Sequence, residues 1–195
     1  MPGFQLSNNQ IATEFPSSLQ TFLYRTNALA LAVGDVVQAQ TNTTATNPDG
    51  LKQVVRVTDN VVSQLTVGVV MGMAIDPDNE VVGIPSSSAD RAIYVNISPD
   101  AVYEVDCSVP TTPSSQAIDL TDIGLNLKLS VAASTVGSLS TSGMLFDSDV
   151  PALVSNTYPW RIVGISEFAT SDNTTYASKV LVRANLSYLQ NGTGA

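Results

Sequence analysis

The chain has no histidine, a single cysteine and few charges, and each shortage closes off a class of function. Without histidine there is no imidazole to move protons near neutral pH, and the commonest zinc ligand is missing. Ser-His-Asp, Cys-His and His-Glu-x-x-His chemistries are therefore excluded. The lone Cys107 rules out a disulfide framework within the chain. At the end of a strand pattern it reads as a small buried apolar residue, since a nucleophilic thiolate would need a basic partner that the sequence does not supply. Lysine and arginine total 8 against 17 Asp and Glu, a net charge of −9, which weighs against binding DNA or RNA through its phosphates and against anionic membranes. No apolar run approaches the ~20 residues of a bilayer-crossing helix, and the start MPGFQLSNNQ has neither the basic nor the apolar region of a signal peptide.

What fills the space is strand chemistry. Charged residues make up 13% of the chain, so Ser, Thr, Asn and Gln carry most of the surface, a composition common in β-rich structural and extracellular proteins. In Ala92–Cys107, Ile93, Val95 and Ile97 alternate with Tyr94 and Asn96. After Ser98-Pro99-Asp100, Ala101, Tyr103 and Val105 oppose Val102, Glu104 and Asp106. Period two on both sides of a Pro-Asp turn predicts a half-buried hairpin. Val36–Gln40 and Gln53–Val57 predict a second hairpin whose long tip, Thr41–Gly50, ends in Asn47-Pro48-Asp49-Gly50. The run Val67–Ile75 is apolar on both faces, which predicts a strand covered on both sides, with Gly68 and Gly72 marking close backbone approach or a bulge. Further strands are expected at Val81–Ile84, Leu125–Ser130, Met144–Phe146, Trp160–Ile165 and Lys179–Leu189, with helical or mixed character at Gln116–Ile123. Short strands at intervals of roughly ten residues predict an all-β sandwich or barrel, of which a jelly roll is one form.

Residues Met1–Arg25 lack a sustained period and read as an extended N-terminal arm ahead of a β-rich domain at 26–189 and a short tail at 190–195. Phe4, Phe15 and Phe22 lie in that arm with Leu19. So much aromatic surface has to be covered, either by the chain's own domain or by a neighbouring subunit. On the second alternative the arm can be deleted without unfolding the core. Trp160 and Arg161 are the other candidate contact residues, because Trp, Tyr and Arg dominate binding hot spots; packing within their own sheet is the alternative.

Candidate chemistry is sparse. Asp76, Asp78 and Glu80 in DPDNE are spaced like oxygen ligands of a calcium loop, but the glycine and bidentate acid such a loop requires are out of register, so a turn is expected. Glu104 with Asp106, or Asp147 and Asp149 with Glu167, offer paired carboxylates with nothing to fix their separation. Glu104 and Asp106 share one strand face and repel unless solvent or a cation intervenes. The Asn-x-Ser/Thr sequons at Asn42, Asn96, Asn173, Asn185 and Asn191 are expected by chance in so Ser- and Thr-rich a chain.

Taken together, the string Tyr-Val-x-Ile-x-Pro-Asp-x-Val-Tyr-Glu-Val at Tyr94–Val105 resembles a signature of the small cement, or head decoration, proteins of tailed bacteriophages. Four other stretches agree in order: Gly34-Asp35-Val36-Val37; Gly68-Val69-Val70; Asp122–Asn126 with Thr141-Ser142-Gly143-Met144; and Pro159–Ile165 with Val180–Asn185. The resemblance implies a non-enzymatic all-β virion protein, often a homotrimer, on the capsid exterior, where it binds the major capsid protein and ties coat subunits together. It implies no cofactor, metal, small-molecule substrate, nucleic acid or membrane partner. A tail-fibre or adhesin-type module that reads a host glycan is the alternative.

Overall fold

The computed structural model of the chain describes residues 3–6, 19–24, 29–40, 51–58, 66–74, 83–85, 90–107, 118, 120–127, 129–136, 140–146, 158–166 and 179–185. These residues form strands β1 (Gln5–Leu6), β2 (Leu19–Tyr24), β3 (Val36–Ala39), β4 (Gln53–Arg56), β5 (Thr66–Met73), β6 (Arg91–Asn96), β7 (Val102–Asp106), β8 (Asn126–Leu127), β9 (Leu129–Val131), β10 (Met144–Phe146), β11 (Trp160–Ile165) and β12 (Lys179–Ala184). Among the described residues of the segment expected to be helical or mixed there is one 3-10 turn, Leu120–Asp122. The fold is all-β, as the alternating patterns require.

Five strands close into a barrel in the order β2-β4-β3-β5-β6. Strands β2 and β4 run parallel and the other pairs antiparallel. Phe22, Tyr24, Val37, Val54, Val67, Val70, Ile93 and Val95 fill the interior. Leu31 and Ile84 join them, exchanging two backbone hydrogen bonds of 2.9 Å. A second, antiparallel sheet has the order β1-β7-β12-β11-β8, and β9 pairs with β10 alone. Their inward side chains, among them Tyr103, Phe146, Trp160 and Val182, make a second core.

The two cores share a wall. Successive side chains on a strand point to opposite faces, so Val36 and Val69 belong to the second core while Val37 and Val70 line the barrel. This is why Thr66–Val70 is buried at every position, as the two-sided apolar run predicts. Gly68 is needed at this wall, because a Cβ there would collide with the Asn96 carbonyl of β6. Register shifts between Val37 and Gln38 and between Val70 and Gly72 mark the bulges that let the wall bend.

Two expectations are corrected. Ala92–Cys107 is two strands and a turn, but not a hairpin. β6 pairs with β2 and β5 in the barrel, whereas β7 pairs with β1 and β12 in the other sheet. Residues Ser98–Asp100 carry the chain from one core to the other, with the Ala101 amide donating to the Ser98 carbonyl at 3.4 Å. Alternation marks which residues face inward; it is silent on which sheet a strand joins. The β3–β4 hairpin, by contrast, is antiparallel and adjacent as expected.

The second concerns the arm: of its two alternatives the described residues follow packing on the chain's own domain, and the reading of an appendage deletable without loss of the core is the part corrected. Where it is described, Met1–Arg25 is built into the fold. β2 closes the barrel between β4 and β6, and β1 edges the second sheet. Phe4 is buried against Trp160, Phe146 and Tyr103 at ring-centroid distances of 4.4, 5.7 and 5.8 Å. Its amide donates to the Gly34 carbonyl at 3.0 Å. Gly34 has φ +91°, and a Cβ there would stand 3.2 Å from the Phe4 backbone, so the turn that receives Phe4 requires glycine. Lacking period two, this segment gave no sign of its strands, although its phenylalanines called for cover that the chain's own domain was one candidate to supply.

Candidate functional site

The barrel and the β9–β10 pair are tied together by a buried polar knot centred on Asp35, which is 0% exposed. Its carboxylate accepts from the Ala32 amide at 2.8 Å, Arg56 Nε at 3.0 Å and the Ser142 hydroxyl at 2.5 Å. The Ser134 hydroxyl lies 2.9 Å from both carboxylate oxygens. Arg56, at the end of β4 and equally buried, donates from Nη2 to the Ala132 carbonyl at 2.6 Å. The two hydroxyls accept in turn from the Gly143 and Met144 amides at 3.0 and 3.2 Å, and the Val36 amide points at Met144 Sδ at 2.9 Å. Two stretches of the resemblance, Gly34–Val37 and Thr141–Met144, thus meet here. Nearby, Tyr24 donates to the Leu29 carbonyl at 3.1 Å. Burial pushes its phenol up to about 12 against the opposing pull of the Arg56 guanidinium. A fully bonded buried network of this kind rigidifies; it offers no open position for a substrate, and its role is to hold the scaffold.

Of the six candidate contact residues, Phe4, Phe22 and Trp160 are interior, at 2%, 6% and 1% exposure. Their side chains serve the chain's own cores and are not available to a partner. Among the interior polar atoms, the Trp160 indole N–H has no acceptor. Leu19 is half-buried at the start of β2, and Phe15 lies outside the described residues. Among the described five, Arg161 alone is exposed.

Arg161 stands on the outer face of the second sheet beside apolar residues that sequence reasoning missed. Its Nε donates to the Gly124 carbonyl at 2.8 Å. Reciprocal 2.9 Å bonds, Gly124 amide to Ile162 carbonyl and Ile162 amide to Leu125 carbonyl, lay the 3-10 segment alongside β11. Leu120, Ile123 and Val163 are 62%, 45% and 38% exposed, and these hydrogen bonds bring the segment that carries Leu120 and Ile123 alongside the strand that carries Val163 and Arg161. Val163 does break the inward alternation of β11, a signal in the sequence; Leu120 and Ile123 sit in a segment without strand period and gave none.

No family model matches the chain, and no curated protein or solved structure is significantly similar to it. Its chemistry is therefore read from its own residues. On the same outer face, Glu104 and Asp106 are bridged by Lys179, whose ammonium lies 3.0 Å from Glu104 Oε1 and 3.4 Å from Asp106 Oδ1. Lys179 is the cation that these neighbouring carboxylates need. The Ser166 hydroxyl donates to Glu104 Oε2 at 2.6 Å. Burial raises the Glu104 pKa, but the Ser166 and Lys179 hydrogen bonds outweigh it and leave the carboxyl below its ordinary value. Lys179 is raised, first by its bond to Glu104.

The sign of the resulting pH dependence follows. The contribution of Glu104 is complete above the ordinary carboxylate pKa of ~4.3 and is lost as pH falls through its lowered folded value. That of Lys179 is complete below ~10.4 and is lost as pH rises through its raised folded value. Lys179→Met is expected to cost about 0.5–1 kcal/mol between these limits and to flatten both limbs of a plot of urea midpoint against pH. Unchanged limbs in the variant would show that the cluster contributes nothing to stability.

Of the remaining candidates, only Cys107 lies among the described residues. Cys107 is half-buried, and burial together with the Asp106 carboxylate pushes its thiol up to about 12; it stays protonated at neutral pH. Among the described residues no three His, Cys, Asp or Glu side chains gather to hold a metal ion. Asp76–Glu80, Asp147, Asp149 and Glu167 lie outside the described residues.

Proposed function

We propose that this chain is a structural virion protein, a cement or decoration protein that binds the outside of an icosahedral phage head as a homotrimer and bridges copies of the major capsid protein. The assignment to phage heads comes from the sequence resemblance. The observation that best supports a binding role is the surface of Arg161, Leu120, Ile123 and Val163, presented by β11 and the 3-10 segment hydrogen-bonded to it. Arginine is among the residues enriched at interaction hot spots, and the exposed apolar groups of this surface give a partner area to remove from water. A glycan platform would call for clustered exposed rings; among the described residues the exposed ring is that of Tyr94.

A cement protein acts by mass action, stabilising the assembled shell because it binds that state alone. Three identical contacts per trimer add avidity without new chemistry. The test is co-sedimentation of the purified protein with emptied, expanded heads of the source phage, followed by heating. Saturable binding with a higher disruption temperature is expected, together with a solution mass of three chains. Heads that neither bind the protein nor gain stability overturn the reading.

A further inference from the structure

We infer that Arg161 and Arg183 form a carboxylate clamp for an acidic, partly apolar segment of another protein chain. The inference deepens the function proposed above and rests on it for the choice of binding face. Arg161 and Arg183 are direct cross-strand partners in the β11–β12 pair, and both are exposed. In an antiparallel pair such residues share a face with their Cβ atoms about 5 Å apart, where like charges destabilise the sheet. Composition does not force this placement, because the chain holds only 8 basic residues against 17 acidic ones. Two of the others are matched to carboxylates close by, Arg56 to Asp35 and Lys179 to Glu104, each at 3.0 Å.

Arg161 and Arg183 are not matched in this way. Arg183 Nη1 stands 3.9 Å from Asp100, whose side chain is 74% exposed, a distance and exposure at which an ion pair contributes little. Arg161 is engaged through Nε by the Gly124 carbonyl. That bond orients the guanidinium and leaves its two terminal nitrogens, among the described residues, without a protein acceptor. A carboxylate set between two guanidiniums would relieve their repulsion and accept paired, charge-assisted hydrogen bonds.

The surroundings select the occupant. A free inorganic anion has no use for the exposed Leu120, Ile123 and Val163 near Arg161, and a phosphate backbone likewise carries no apolar side chains to cover them. A protein segment that carries Asp or Glu next to apolar side chains satisfies both halves of the surface.

The test is titration of the isotope-labelled full-length protein with the peptide acetyl-Glu-Leu-Asp-Leu-Glu-amide, with acetyl-Lys-Leu-Lys-Leu-Lys-amide as control. NMR shifts are expected at the Arg161 and Arg183 side chains and at the backbone of 120–125 and 161–165. They should weaken with added salt and not appear with the basic peptide. The Arg161→Gln/Arg183→Gln double variant, whose unchanged melting temperature would show an intact fold, is expected to lose affinity about 10-fold or more. An equal response to both peptides, shifts elsewhere on the protein, or undiminished binding by the double variant overturns the clamp. So does appearance of the same shifts on concentrating the protein alone, which would make a second copy the occupant. Failure here with heads still bound by the wild-type protein removes the clamp and leaves the proposed function; peptide binding without head binding does the reverse.

Discussion

A chain lacking Met1–Arg25 is expected to lose its cooperative fold altogether. The cut removes β2, without which β4 and β6 lose the neighbour that closes the barrel. It also removes the Phe22 and Tyr24 side chains from the barrel interior and Phe4 from the aromatic cluster of the other core. Truncating one buried phenylalanine costs about 3–5 kcal/mol, and a domain's whole stability is about 5–15 kcal/mol. Phe4→Ala alone should therefore consume a large part of the margin, while the deletion exceeds it. The deletion variant is expected to show no near-ultraviolet dichroism and no sigmoidal urea transition; Phe4→Ala should keep both with a much lower midpoint. A truncated chain with a wild-type urea midpoint would mean that the N-terminal strands are accessory after all.

Asp35→Ala should be the most damaging single substitution outside the apolar cores. It leaves the Arg56 guanidinium buried without its carboxylate, and breaking a buried ion pair from one side costs about 3–5 kcal/mol. The Ala32 amide and the hydroxyls of Ser134 and Ser142 lose an acceptor in the same step. Removing both charged partners together, as Asp35→Ala/Arg56→Leu, is expected to cost less than the sum of the two single changes, because no isolated charge remains. Urea unfolding of the wild type, the two single variants and the double variant closes the cycle. Strict additivity would show that the pair is not coupled.

The strands were legible in the sequence wherever one face is buried. Tyr103 and Val105 against Glu104 and Asp106, or Ile93 and Val95 against Tyr94, state their inward positions directly. The two-sided strand was also legible, since Val67, Val69 and Val70 leave no polar face. Partnership was not. Nothing in Ala92–Cys107 distinguishes a strand that turns back on its predecessor from one that passes to a second sheet, because the same turn serves both. Phe4 and Phe22 were correctly singled out as side chains needing cover, but which surface covers them depends on strands more than a hundred residues away for Phe4, whose neighbours include Phe146 and Trp160. The candidate site was half legible for the same reason. Arg161 could be named by residue type, whereas its juxtaposition with Arg183 exists only once β11 and β12 are in register.

The wall shared by the two cores bears on the order in which a nascent chain can finish itself. The barrel has all its strands by Asn96, but the sheet that covers the outer side of β3 and β5 takes its middle strand, β12, from Lys179–Ala184. Until that strand emerges from the ribosome, β7 lacks a central neighbour, and Val36, Val57 and Val69 look out from a finished barrel with no opposing layer. Contacts of such long sequence separation form late, and uncovered apolar surface in the interval invites aggregation. A net charge of −9 opposes such association, because like-charged chains repel one another.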